Sequence, residues 1–186
     1  SEVDEIIKEL ERLLAEIARE NERIIRESRK LADEVRKRNE DAIRKLEELV
    51  ARLADAVRRK GSESEEVKKL IEDVLREIER LLKRIEEENR EVVKRNSELV
   101  ERVRAINEEI LRRVAELVEK IARDIGDKDR DHMVLHEYVN AAGITKKLDD
   151  ETRRVIEDTN KKIADLDKAT RDVVRKVLEE VKKLEK

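Results

Sequence analysis

Apolar residues recur along this chain in steps of three and four. The first run takes Val3, Ile6, Ile7, Leu10, Leu13, Leu14, Ile17, Ile24, Ile25, Leu31 and Val35, then Ile43, Leu46, Leu49, Val50, Leu53 and Val57. That spacing marks one face of an α-helix, not the alternation of a strand. A second run extends from Val67 to Ile121 and a third from Leu148 to Leu184. Glycine supplies the punctuation. Gly61 lies in KGSESEE, where Ser62 and Glu65 have the spacing of a capping box. Gly126 lies in DIGDKD, with Asp127 placed to cap the next helix. The pattern predicts three helices of nearly equal length, about 1–60, 63–125 and 127–186, each a rod of roughly 90 Å. Two short connections make neighbours antiparallel, so the expected fold is all-α: one domain over 1–186, an elongated up–down–up three-helix bundle.

Polar residues interrupt the apolar seam at Asn21, Ser28 and Asn39, at Asn89, Asn96 and Asn107, and at Thr145, Thr152 and Thr159. In an antiparallel hairpin the numbers of paired residues add to a constant, and Asn21 with Asn107 gives the same total as Asn39 with Asn89. A second turn near Gly126 would set Thr145 beside Asn107, Thr152 near Asn96, and Thr159 or Asn160 near Asn89. Three buried polar layers are therefore expected, each with a member from every helix. A buried amide without a partner is costly, so such layers penalise every other register. The competing reading makes these residues scattered surface polars.

Composition narrows the class. Charged residues make up 51% and aromatics 1%, with no Pro, Cys, Trp or Phe, the diet of long helices and coiled coils. The 46 basic and 49 acidic residues are interspersed, and no basic patch with stacking aromatics offers a nucleic-acid surface. No apolar run is long enough for a membrane span and no signal-peptide pattern opens the chain, so a soluble protein compatible with cytoplasmic expression is expected, and separately a monomer. Without cysteine, neither disulfides nor thiolate chemistry are available. Equal rods, a capped turn, the absence of Gln and Pro, and i,i+4 charge pairs follow design rules closely. The chain resembles de novo designed helical bundles with built-in hydrogen-bond networks, which would give it no native compartment.

One passage departs from this alphabet: RDHMVLHEYVNAAGIT, Arg130 to Thr145. It holds both histidines (His132, His136), the methionine (Met133) and the tyrosine (Tyr138), with Gly143 a little further on. Taken with period two, Met133, Leu135, Glu137, Val139 and Ala141 share one face, and His132, His136, Tyr138 and Asn140 the other. Taken with period 3.6, Leu135, Tyr138, Ala142 and Thr145 extend the third seam backwards from Leu148. The segment fits a strand and a helix alike.

All sixteen residues, Arg130, Asp131, His132, Met133, Val134, Leu135, His136, Glu137, Tyr138, Val139, Asn140, Ala141, Ala142, Gly143, Ile144 and Thr145, resemble the eleventh β-strand of green fluorescent protein in its split-tag form. Nothing else in the chain is similar to that barrel, and the chromophore-forming tripeptide is absent. The resemblance implies a partner, the fragment holding strands one to ten, bound by strand addition. It also implies that Glu137 would lie close to the chromophore after complementation. The face assignment agrees, since Glu137 is the one charge on the apolar side.

Other chemistry is weaker. His132 and His136 have i,i+4 metal spacing but no evident third ligand, so no metal or other cofactor is expected. Tyr138 as a phenol, or Glu137 beside His136 as an acid–base pair, lacks a nucleophile and pocket-building loops; an enzyme is not expected. Weak helix formers crowd this passage, and Gly143 alone costs about 1 kcal/mol against alanine. Packing on the other two helices must compensate. The chain is thus similar to designed cage-and-latch switches, in which a bundle hides a peptide until a competing helical key peptide, or the partner itself, captures an open state. Binding would weaken by the open fraction; about 4 kcal/mol of closure corresponds to roughly a thousandfold. Two alternatives stay open: a static scaffold holding a strand sequence as helix, and an exposed tag with 127–148 as a loop.

Overall fold

The computed structural model describes the backbone of residues 2–125 and 128–185, and side-chain surroundings over 4–123 and 136–185. The described residues form three helices: α1 (Glu2–Lys60), α2 (Glu65–Ile125) and α3 (Lys128–Glu185). The expected capping role of Asp127 beside Gly126, and the seam position of Val3, lie outside the residues whose surroundings are described.

The α1–α2 connection follows from local chemistry. Gly61 adopts φ +82°, the left-handed conformation that favours glycine, and its amide bonds the Val57 carbonyl at 2.9 Å. This closes α1. The helix that follows starts at Glu65, not at 63, and its first backbone bond runs from the Lys68 amide to the Ser64 carbonyl at 3.0 Å. Ser64 is therefore the N-cap, and Ser62 lies in the turn, so the Ser62–Glu65 capping box does not form. The reason is that the left-handed Gly61 is followed by a further turn, with the Ser64 amide bonded back to the Gly61 carbonyl at 3.4 Å. Two acidic residues, Glu65 and Glu66, occupy the first turn of α2, where they favour the positive end of its dipole. Substituting Gly61→Ala is expected to cost about 1–2 kcal/mol through the left-handed conformation alone, since a Cβ there meets no atom. Guanidinium denaturation checks this.

The helices form two compact units, each taking part of every helix: Ser1–Arg29 with Asn96–Asp158, and Lys30–Arg95 with Thr159–Lys186. In the first unit Ile6, Leu13 and Ile17 of α1 pack with Ile110, Val114, Val118 and Ile121 of α2, and α3 adds Ala141, with Tyr138 and Leu148 half-buried against the cluster. In the second unit, Leu46 and Leu53 meet Ile71, Val74, Ile78, Leu81 and Ile85, and α3 adds Val174 and Val181. Cross-helix bonds in the first unit run antiparallel. Asn21 meets Asn107 while the later Ser28 meets the earlier Asn96, and Asn107 meets Asp149 while Asn96 meets Ile156. The fold is an antiparallel three-helix bundle with buried polar residues, and the described residues include no strand.

Surface charges pair mostly at i,i+3 and i,i+4, as in Arg44–Asp41, Arg59–Asp55 and Arg76–Asp73. Such exposed pairs contribute a few tenths of a kcal/mol each, about 0.3–0.5. Burial of the apolar faces holds the helices together.

Candidate functional site: the odd passage of the third helix and its polar clamps

Residues 130–145 are helical, and α3 runs on past them to Glu185. No loop over 128–148 precedes a fresh helix at Asp149 or Asp150. The side chains of Arg130, Asp131, His132, Met133, Val134 and Leu135 lie outside the described surroundings. From His136 onward the helical period sorts the passage. His136, Glu137, Asn140 and Gly143 are exposed, Val139 is 61% and Ile144 40% exposed, while Ala141 and Thr145 are buried. Tyr138 and Ala142 are half-buried. The inward line thus passes through Tyr138, Ala141, Thr145 and Leu148. It takes Ala141 more fully than the expected Ala142; both lie three or four residues from Tyr138 and Thr145, so helical spacing allows either, and the packing against α1 and α2 selects 141. Glu137 faces solvent, so its carboxylate escapes the burial that the strand alternation would impose.

The outward face is apolar at Val139 and Ile144, and with His136, Asn140, Gly143 and Lys147 these line a shallow open groove. A Cβ on Gly143 meets nothing within 4 Å. Gly143→Ala is therefore expected to stabilise the helix by about 0.5–1 kcal/mol, by propensity and reduced unfolded-state entropy. Helix content and denaturation midpoint should both rise.

All nine seam polars are buried, from Ser28 and Asn96 at 0% exposure to Thr159 at 6%. In the first unit Asn21 and Asn107 exchange amide bonds, the Asn21 Nδ2 donating at 2.8 Å and the Asn107 Nδ2 returning at 3.3 Å. The Asn21 Nδ2 also donates to the Ile17 carbonyl at 2.7 Å, and its Oδ1 accepts the Thr152 hydroxyl at 3.0 Å. The Asn107 Nδ2 donates again, to Asp149 Oδ1 at 3.3 Å, and Asp149 Oδ2 pairs with Arg153 at 3.1 Å. Asn21 uses both donors and both lone pairs, the full capacity of an amide side chain. Helix three thus joins Asn107 through Asp149, one turn later than the expected Thr145. Thr145 instead donates to the Ala141 carbonyl of its own helix at 2.8 Å. Its short hydroxyl turns back on its own helix, whereas the carboxylate of Asp149 reaches the amide. Likewise Thr152, expected near Asn96, bonds Asn21. Ser28 donates to Asn96 Oδ1 at 2.6 Å, and the Asn96 Nδ2 reaches the Ile156 carbonyl at 3.4 Å.

The second unit repeats the device. Asn89 donates to Asp167 Oδ1 at 2.6 Å, Asp167 pairs with Arg171 at 2.8 Å, and both Arg171 and Arg175 reach Glu86 at 3.5 Å. Thr170 is also buried. Here the amide pair is not closed: the Asn39 Nδ2 and Asn89 Oδ1, a buried donor and a buried acceptor, lack partners. Their counterparts Asn21 Nδ2 and Asn107 Oδ1 are bonded to each other. Asp149, Arg153, Asp167, Thr170 and Arg171 did not emerge from the seam pattern, since Asp and Arg abound on every surface. A signal existed: D-x-x-T-R recurs at 149–153 and 167–171, eighteen residues apart, as do Asn21 with Asn39 and Asn89 with Asn107. Eighteen residues are five helical turns, so the repeat returns to the same face.

Perturbed ionisation lies elsewhere. The hydrogen bond from Arg12 holds the Glu9 carboxyl below its ordinary range, with a smaller opposing effect of burial; Lys60 does the same to Glu66. Both carboxylates are solvent-exposed and far from the passage in sequence. Among the described residues, no three His, Asp or Glu side chains are grouped to hold a metal, and no helix is long and apolar enough to cross a membrane.

Neither family models nor curated proteins match this chain. Among solved structures it is similar to one described as a computationally designed three helix bundle, with a TM-score of 0.56 and 16% identity, covering 99% of this chain and 87% of the other. The likeness is one of fold: three helices in bundle arrangement.

Proposed function

We propose that this chain is a de novo designed bundle that keeps a split green fluorescent protein strand in helical form and yields it to the complementary ten-strand fragment. The observation that carries the reading is the helical state of a passage whose sequence also satisfies strand alternation. While it is helical, its backbone donors and acceptors are used within α3 and are closed to strand addition. Among its described side chains, Ala141 is buried, Tyr138 is half-buried, and Thr145 bonds its own helix, while His136, Glu137, Val139, Asn140 and Ile144 face solvent. The partner would be the ten-strand fragment, a competing helical key peptide would open α3 by replacing it, and Glu137 would move from solvent to the chromophore side.

Mixing the intact chain with the purified ten-strand fragment tests this. Fluorescence is expected to rise more slowly than with a free peptide of residues 130–145, and to accelerate when a peptide copying 146–185 is added. Immediate full complementation would make the passage an exposed tag. Darkness under every condition, beside a bright free peptide, would make the bundle a static scaffold.

A further inference from the structure

We infer that strand capture is mechanically coupled to the Asp149–Thr152 clamp, so that the passage becomes a strand only after α3 has let go of Asn21 and Asn107. The inference rests on the proposed function and goes beyond it by naming the gate. Residues 130–145 rise about 24 Å as a helix, at 1.5 Å per residue, but span about 53 Å as a strand, at 3.3 Å per residue. From Lys128, where α3 begins, to Asp149 the helix rises only about 32 Å. At its far end the passage is followed within a few residues by the clamp: Asp149 on Asn107, Thr152 on Asn21, and Arg153 on Asp149. At its near end it joins α2, which ends at Ile125. A strand seated between two sheet edges is straight and has strands on both sides at about 4.8 Å, so its excess length cannot buckle. The few residues on either flank would have to double back along it by roughly 20 Å, through space the neighbouring strands occupy. Releasing 146–156 removes the conflict by freeing one end.

Among the described side chains of the passage, 136–145, Thr145 bonds its own helix, and among the described residues the polar bonds from α3 to α1 and α2 in the first unit begin at Asp149. The clamp therefore sets how often a capturable state occurs without altering any residue of the strand.

Two variants of the full chain test the coupling, with the free 130–145 peptide as reference. One inserts ten Gly/Ser residues between Lys147 and Leu148, giving slack with the clamp intact. The other is Asp149→Ala with Thr152→Val. Circular dichroism verifies that both remain helical. Each is expected to speed complementation with the ten-strand fragment at least about tenfold. The matched pair Asp167→Ala with Thr170→Val, in the second unit, is expected to change the rate less than about threefold. Equal rates for the parent and the insertion variant, with a bright free peptide, would overturn the coupling and leave the proposed function standing. A clamp variant no faster than its second-unit match overturns it as well. A dark free peptide would overturn the proposed function and the coupling with it.

Discussion

Replacing Asn21 by leucine is expected to destabilise the bundle by roughly 2–5 kcal/mol, an effect on the scale of losing a core side chain. The amide donates to the Ile17 carbonyl and to Asn107, and accepts from Asn107 and Thr152. Its removal leaves the Asn107 Oδ1 without a donor and one Asn107 N–H without an acceptor in a site with almost no solvent access, while the Thr152 hydroxyl can turn to its own helix carbonyl as Thr145 does. Each abandoned group costs about 1–3 kcal/mol when water cannot replace the partner. Asn107→Leu should be comparably harmful. The double replacement should not be the sum: with both amides gone, neither half of the pair is left as a buried unpaired amide, and Asp149 keeps Arg153. A double-mutant cycle by guanidinium denaturation should therefore return a coupling of about 1–3 kcal/mol. Additive losses would mean the observed network contributes nothing as a unit. The matched cycle on Asn39 and Asn89 should give a smaller coupling, since the Asn39 donor and Asn89 acceptor are unpartnered.

Truncating Ile17 to alanine is the second large effect. Ile17 is fully buried, in the cluster that includes Val114 and Ala141 and is flanked by Tyr138 and Leu148. Loss of its outer carbons removes transfer free energy and leaves a cavity, together about 2–5 kcal/mol. The larger consequence is functional. Among the described residues α3 brings Ala141, with Tyr138 and Leu148 half-buried, into this cluster, so a cavity beneath them weakens that contact. If about 1.4 kcal/mol of the loss falls on closure, the open fraction rises tenfold, and complementation with the ten-strand fragment should quicken by that factor. A lowered denaturation midpoint with an unchanged complementation rate would show that Ile17 holds α1 to α2 alone.

Much of this molecule is legible in one dimension. Apolar steps of three and four require helices, and Gly61 must sit at a turn because an L side chain resists φ +82°. The three helices and their antiparallel order follow from those two facts. Helix starts were less legible: KGSESEE offers two serines, Ser62 and Ser64, and only the hydrogen bond from the Lys68 amide to the Ser64 carbonyl selects between them. The dual character of Arg130–Thr145 was plain in the sequence, and the equal rod lengths set it inside the third helix against local propensity, which packing has to overrule.

The polar seam divides the same way. Periodicity alone placed Asn21 opposite Asn107, because both lie on an antiparallel hairpin whose turn glycine marks. It could not say which residue of α3 would meet them, since a shift of one turn keeps the same face while changing every partner. That choice went to Asp149 and Thr152 over Thr145, through side-chain reach and the satisfaction of four bonds at one amide. What the sequence by itself determined was local: the helical period, the turn glycine, and a passage able to be either helix or strand. Tertiary structure decided the register of α3 and whether packing would hold that passage as helix, because both depend on which buried groups meet across helices far apart in the chain.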